Sequence, residues 1–238
     1  MLILNEEWAY IHIPRTSGVN FKTAVCKSYK KPYKIFWETL NQDSYQPPKI
    51  HELFWGKYNQ NILTDLNVKV DIRNMMPDNP RTSPLFMWEE AEIYSDEKVF
   101  TICRNPYTRL VSLYYNSLKY YKNLSLVNED ITLEQFLFHP LFTKLSSLYG
   151  YTIPTRTQVE YLKNRDGQLV CDRFYKMETN QKSLQRDFRL EHINDVKYNS
   201  QEYDKDYAKI YNDRTIEFVQ TTFKQDFDYF EYDINPFW

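Results

Sequence analysis

Two segments of this chain share one plan: a short apolar run, a polar turn, and an amphipathic stretch that follows at once. The first, from Ala9 to Phe21, reads A-Y-I-H-I-P-R-T-S-G-V-N-F; the second, from Phe100 to Tyr115, reads F-T-I-C-R-N-P-Y-T-R-L-V-S-L-Y-Y. A strand that turns directly into a helix aims the helix's first, unpaired N–H groups beyond the strand end, and such groups attract anions. Two such junctions, each with an arginine in its turn, predict a nucleotide held at two anionic points.

The rest of the chain is read around these junctions. Tyr10, Ile11 and Ile13 form a β-prone run closed by Pro14, and Val19 to Tyr29 is a helix with Val19, Phe21, Val25 and Cys26 on one face. Val99 to Cys103 reads as a buried strand, and Pro106 sits where a first-turn proline is tolerated, opening a helix to about Tyr121. Met87 to Tyr94 reads as a helix. Thr132 with Gln135 three residues on is a capping box for a short helix through Phe138. Arg173 to Lys176 is a further strand; Asn180 to Phe188 and Asp213 to Phe223 are helical, the latter with Ile216, Val219, Gln220 and Phe223 along one side. Between Lys31 and Ser83 the periodicity dissolves among Pro47, Pro48, Pro77 and Pro80, so residues 31–83 read as an irregular insertion over the active site. Strands alternating with helices predict an α/β fold, a parallel sheet three layers deep.

Composition narrows the function classes. With 238 residues, 42% of them hydrophobic, the chain builds one sizeable core, and residues 1–238 read as a single domain. Its 30 Lys and Arg nearly balance 32 Asp and Glu, which favours neither nucleic acid nor an anionic membrane as a partner. Cys26, Cys103 and Cys171 are far apart and odd in number, without the close pairs of a zinc or redox motif, and read as buried reduced thiols. No apolar run reaches the roughly 18 residues of a membrane span, and the N-terminus carries no signal peptide. With only 4 glycines, Gly18 in the first turn is a candidate for close backbone approach.

The two motifs also carry a family resemblance. Ala9–Phe21 resembles the 5′-phosphosulfate loop of the carbohydrate sulfotransferases, H-x-P-K-T-G-G-T, and Phe100–Tyr115 resembles their 3′-phosphate element, R-N-P-Y-x-R-L-x-S-x-Y. The likeness is to the Golgi-type, heparan- and chondroitin-like branch. Fainter likenesses follow in T-R-T-Q-V-E-Y-L at Thr155–Leu162 before Gly167, D-R-F-Y-K-M-E at Asp172–Glu178, H-I-N at His192–Asn194 and D-F-D-Y-F-E-Y near the end. The resemblance implies a fold like that of P-loop nucleotide kinases, 3′-phosphoadenosine 5′-phosphosulfate (PAPS) as sulfonate donor, the 3′,5′-bisphosphate (PAP) as product, no metal, and a hydroxyl of a carbohydrate or glycoconjugate as acceptor. It places the donor's phosphosulfate on Arg15, Thr16, Ser17, Gly18, Val19 and Asn20, and its 3′-phosphate on Arg104 and Ser112, with Arg109 open between a phosphate contact and a surface salt bridge. Arg15 stands where the family has lysine, keeping the charge on a planar head that does not titrate.

Sulfonate transfer also needs a base for the acceptor proton. His51 is the candidate, because it lies between the motifs and titrates near neutrality; Glu52, Glu89 and Glu90 compete with it. Of the other histidines, His12 reads as the end of a buried strand, His139 as a turn residue before Pro140, and His192 as either acceptor-binding or core. Trp37, Trp55 and Trp88 are candidate stacking faces for a sugar ring. A first strand within ten residues of Met1 favours a cytoplasmic enzyme of bacterial or viral type, the alternative being a trimmed Golgi protein. Two other readings stay open. A nucleotide-dependent phosphotransferase is disfavoured by the lack of G-x-x-x-x-G-K-[ST]. A non-catalytic nucleotide- or glycan-binding module is motivated by Arg15.

Overall fold

The computed structural model describes residues 2–4, 7–28, 34–35, 85, 97–123, 131–138, 156–190 and 207–235. Five strands, β1 (Leu2–Leu4), β2 (Trp8–Ile11), β3 (Lys34–Ile35), β4 (Lys98–Cys103) and β5 (Arg173–Lys176), form one sheet in the order β3-β1-β2-β4-β5. Strands β2, β4 and β5 are parallel, with Tyr10 opposite Phe100 and Ile102 opposite Tyr175. The expected parallel sheet is therefore its central part, and β1 and β3 add an antiparallel edge. β3 falls inside the stretch read as an irregular insertion; the rest of residues 31–83, and the Met87–Tyr94 helix, lie outside the described residues.

Alternation along the parallel strands sorts side chains to two faces. Tyr10, Phe100, Ile102 and Tyr175 point to one, where they meet Phe21, Ala24 and Val25 of α1 (Gly18–Ser28) and Leu184 of α4 (Gln181–Asp187), with Phe188 just beyond it. Phe100 and Phe188 stack there with centroids 4.4 Å apart. Ala9, Ile11, Val99 and Cys103 point to the other face, against Val159 and Leu162 of a 3-10 turn (Val159–Leu162) and Phe230 of α6 (Lys224–Phe230). Helices thus cover both faces of an α/β sheet. Each fully buried large side chain here contributes about 2 kcal/mol.

A third cluster lies between helices: Tyr107, Leu110 and Tyr114 of α2 (Pro106–Asn123), Leu133 and Phe136 of α3 (Leu133–Phe138), and Val219 of α5 (Asp213–Thr222) with the following Phe223. α3 opens with the capping box expected: the Thr132 N–H donates to Gln135 Oε1 at 2.7 Å and the Gln135 N–H to Thr132 Oγ1 at 3.1 Å. Of the side predicted for α5, Val219 and Phe223 are buried while Ile216 and Gln220 are half-buried, and Thr215, which closes a capping box with Asn212, is buried beside them. No helix among the described residues is long and apolar enough to cross a membrane.

Burial sets the reactivity of the thiols. Cys103 is buried and its thiol is pushed up to about 12; Cys171 is half-buried and is pushed up to about 11. At pH 8 both remain protonated, and the thiolate is the nucleophile. Mass spectrometry after iodoacetamide treatment should find Cys103 and Cys171 unmodified in the native protein and alkylated in denaturant. Rapid native alkylation of Cys103 would contradict its placement.

Candidate functional site

Because β2, β4 and β5 run parallel, the loops that follow them leave the same edge of the sheet, the usual place for a ligand crevice in α/β proteins. The first of these loops, residues 12–17, carries two non-glycine residues in the left-handed region, Arg15 and Ser17, both with φ of 70°. Alternating conformations of this kind turn successive N–H groups toward one point and form an anion-binding concavity. The loop is held in shape from within: Thr16 is fully buried and its hydroxyl donates to the Ile13 carbonyl at 2.8 Å. Thr16 therefore braces the turn through its side chain. The helix ladder begins with the Phe21 N–H donating to the Ser17 carbonyl at 3.1 Å, so the N–H groups of Gly18, Val19 and Asn20 precede it.

Gly18 answers to a neighbour in its own chain. A Cβ built there would fall 2.0 Å from Cδ2 and 2.1 Å from Nε2 of His12, whose buried imidazole stacks on Tyr10. His12 thus sits just past the end of β2, as expected, and its ring occupies the space against Gly18. Close packing by the protein itself is sufficient reason for the glycine, where the sequence suggested approach by a ligand.

The second motif is brought directly against the first. Arg15 Nε donates to Ser112 Oγ at 3.0 Å and Arg15 Nη1 to Asn116 Oδ1 at 3.1 Å, one helical turn apart on α2. Arg104, in the turn after β4, donates from Nη1 to the Arg15 carbonyl at 3.3 Å and from Nε to Thr108 Oγ1 at 3.1 Å. Arg15, Arg104 and Ser112, which lie up to 97 residues apart, therefore share one joint.

Other parts of the second motif differ from expectation. The start of α2 already has partners within the chain: Asn105 Oδ1 accepts from the Tyr107 N–H at 2.9 Å, and the Glu178 carboxylate accepts from the Asn105 N–H at 2.8 Å and from the Tyr232 hydroxyl at 2.9 Å. A carboxylate at this helix terminus is stabilised by the dipole and takes the place an anionic ligand would use. At this junction the groups not taken up by the Glu178 contact are side chains, those of Arg104 and Ser112 among them. Among the described residues Arg109 forms no surface salt bridge. It is buried, donating from Nε to the Pro14 carbonyl at 3.2 Å and from Nη1 to the Arg156 carbonyl at 3.0 Å, which ties the first loop to the segment before the 3-10 turn.

On the other flank of the first loop, between α1 and α4, lies a small open cleft of about 50 Å³. Ser17, Asn20, Phe21, Tyr175, Asn180 and Gln181 are among the residues that line it. Its lining sets apolar Phe21, Ile102 and Leu184 beside the amides of Asn20, Asn180 and Gln181, next to the 12–17 loop.

No family model, curated protein or solved structure matches the chain. Of the residues singled out in the sequence, the structure joins Arg15, Arg104 and Ser112, sets Ser17 and Asn20 on the cleft, and uses Thr16 and Gly18 to build the loop. Val19 opens α1. His51, Glu52, Glu89, Glu90, His139, His192, Trp37, Trp55 and Trp88 lie outside the described residues. Sequence reading missed Asn116 and Thr108, which a helical count of four residues from Ser112 and from Arg104 would have placed beside them. It also missed Glu178, whose contact with Asn105 spans 73 residues and has no local signal.

Proposed function

We propose that the protein is a sulfotransferase that moves a sulfonate group from PAPS to a hydroxyl of a carbohydrate or glycoconjugate, on a sheet related to that of P-loop nucleotide kinases. The observation that carries this reading is the joint between the motifs, in which Arg15 is bonded to Ser112 and Arg104 to the Arg15 carbonyl. A donor with a phosphosulfate at one end of a ribose and a phosphate at the other needs two adjacent sets of cationic and hydroxyl groups on a rigid support, and the Arg15 turn beside Arg104 and Ser112 is such a pair. The carbohydrate acceptor follows from the resemblance of the two motifs.

In the proposed reaction the acceptor oxygen attacks sulfur as the bond from sulfur to the bridging oxygen of the 5′-phosphate breaks. The sulfonate ends on the acceptor, and PAP leaves with the bonding electron pair on its 5′-phosphate. By analogy with phosphoryl transfer the transition state is loose, so charge stabilisation and positioning carry the catalysis. Arg15 is assigned to the charge that builds on the bridging oxygen, which its guanidinium meets with directed N–H groups while keeping its own proton. The acceptor's proton passes to a base, for which His51 is the proposed residue.

Arg104→Ala tests the reading without touching the core. Affinity for PAP should fall about 10- to 100-fold, the effect of losing charge-assisted hydrogen bonds, with the circular dichroism spectrum unchanged. Wild-type affinity in the variant would remove Arg104 from the donor site.

A further inference from the structure

Arg104 leaves the sheet at the end of β4, where the strand ladder stops and its peptide groups lose their strand partners. We propose that Gln158 takes over that pairing and is the positioning residue that sets Arg104 for the bisphosphate; the inference rests on the donor site proposed above. The Gln158 side chain closes both sides of the Arg104 peptide: Oε1 accepts from the Arg104 N–H at 2.9 Å, and Nε2 donates to the Arg104 carbonyl at 2.8 Å. A primary amide is the side-chain group that offers a donor and an acceptor in this arrangement, and asparagine is one methylene too short to replace it. Carboxylate, hydroxyl or apolar side chains leave at least one buried group unpaired.

Gln158 is itself rigidly referenced. It is 0% exposed, and Asp226 of α6, also 0% exposed, accepts from the N–H groups of Gln158 at 2.8 Å and Val159 at 3.0 Å. Two residues earlier, the Arg156 carbonyl is gripped by Arg109, which also holds the Pro14 carbonyl of the first loop. One segment, residues 156–159, half-buried at Arg156 and buried beyond it, therefore fixes the backbone behind Arg104 and, through Arg109, the loop that carries Arg15. The Arg104 side chain has several rotatable bonds, so its guanidinium stays beside Arg15 only if its main chain is held. A shift of an ångström in such a group is enough to lose much of a ligand's binding.

The test is a double-mutant cycle in PAP affinity and in stability. Gln158→Met keeps the volume and removes the amide; PAP should bind it about tenfold more weakly than it binds wild type. In the Arg104→Ala background the same substitution should leave PAP affinity unchanged while still lowering the unfolding midpoint, because the amide then has no arginine side chain to aim. Equal PAP affinity of wild type and Gln158→Met, or the same loss of affinity in both backgrounds, would overturn the proposal. If wild type itself fails to bind PAP, the donor-site reading fails first. Should Gln158→Met not fold, wild-type NMR supplies the second arm: PAP should shift the Arg104 amide and the Gln158 side-chain NH2 resonances together, and unmoved resonances at both would count against the role.

Discussion

Gly18→Ala should abolish PAP binding and cost about 3 kcal/mol of stability, at the upper end of what overpacking does to a well-filled site. The new methyl would arrive 2.0 Å from the His12 ring, far inside contact distance, and the ring has little room to retreat because it is buried beside Tyr10. Relief has to come from the backbone, either by rotating α1 away from the sheet or by pulling the 12–17 loop out of shape. Both displace Arg15 from Ser112. Thermal unfolding and PAP titration of the variant read the two consequences separately, and a Gly18→Ala protein with wild-type stability would refute the close approach of His12. Gly18→Ala combined with His12→Ala should recover part of the loss, since the second substitution removes the obstacle.

Arg109→Met is the second large effect. The Pro14 and Arg156 carbonyls both lose a charged donor in a buried setting, and about 3 kcal/mol should be lost near neutral pH. The deficit should also depend on pH. Burial pushes the Asp226 carboxyl above its ordinary value of about 3.9, while the Arg109 charge and the Gln158 and Val159 N–H donors pull it back. A carboxyl raised in the folded state supports folding fully below its unfolded pKa, and that support is lost as pH rises through the folded value. Without Arg109 the folded value rises further, so more is lost. The stability gap between wild type and Arg109→Met should therefore be smallest near pH 4 and widen toward neutrality. Denaturant melts across that range measure it; a gap that narrows with rising pH would mean that Arg109 does not act on Asp226.

The features legible in the sequence were those written in consecutive residues. Val99–Cys103 and Pro106 gave the β4–α2 junction to within a residue, since an apolar β-prone run and a first-turn proline point the same way. Thr132 and Gln135 marked α3 for the same reason. The antiparallel edge was not legible: β1 and β3 are three and two residues long, too short to show alternation. Nor was α6, whose helical start follows Phe223 with a single turn residue between it and α5, and whose buried Asp226 breaks the apolar face.

Within the site, the arginines, serine and glycine of the two motifs were visible, but what each does was not. Arg109 stayed open between a phosphate contact and a surface salt bridge because its partners lie 95 and 47 residues away, and a helical count does not show that its guanidinium turns inward to two carbonyls. Gln158 was noticed only as part of a likeness. Its pairing with the Arg104 peptide joins a side chain to main-chain groups 54 residues off, a contact with no period in the sequence. Glu178 is of the same kind: only the fold brings its carboxylate to the start of α2.

Arg15, Arg104 and Ser112 are proposed to form a site for a nucleotide with phosphates at both the 3′ and 5′ positions. Calorimetric titration of the purified protein with PAP, and separately with ATP, tests it most directly. Saturable binding of PAP at least tenfold tighter than ATP is the predicted result, because ATP offers a chain of phosphates at one end of the ribose and none for the second point. Preference for ATP, or no heat with either nucleotide, would contradict the donor site and the sulfotransferase function built on it.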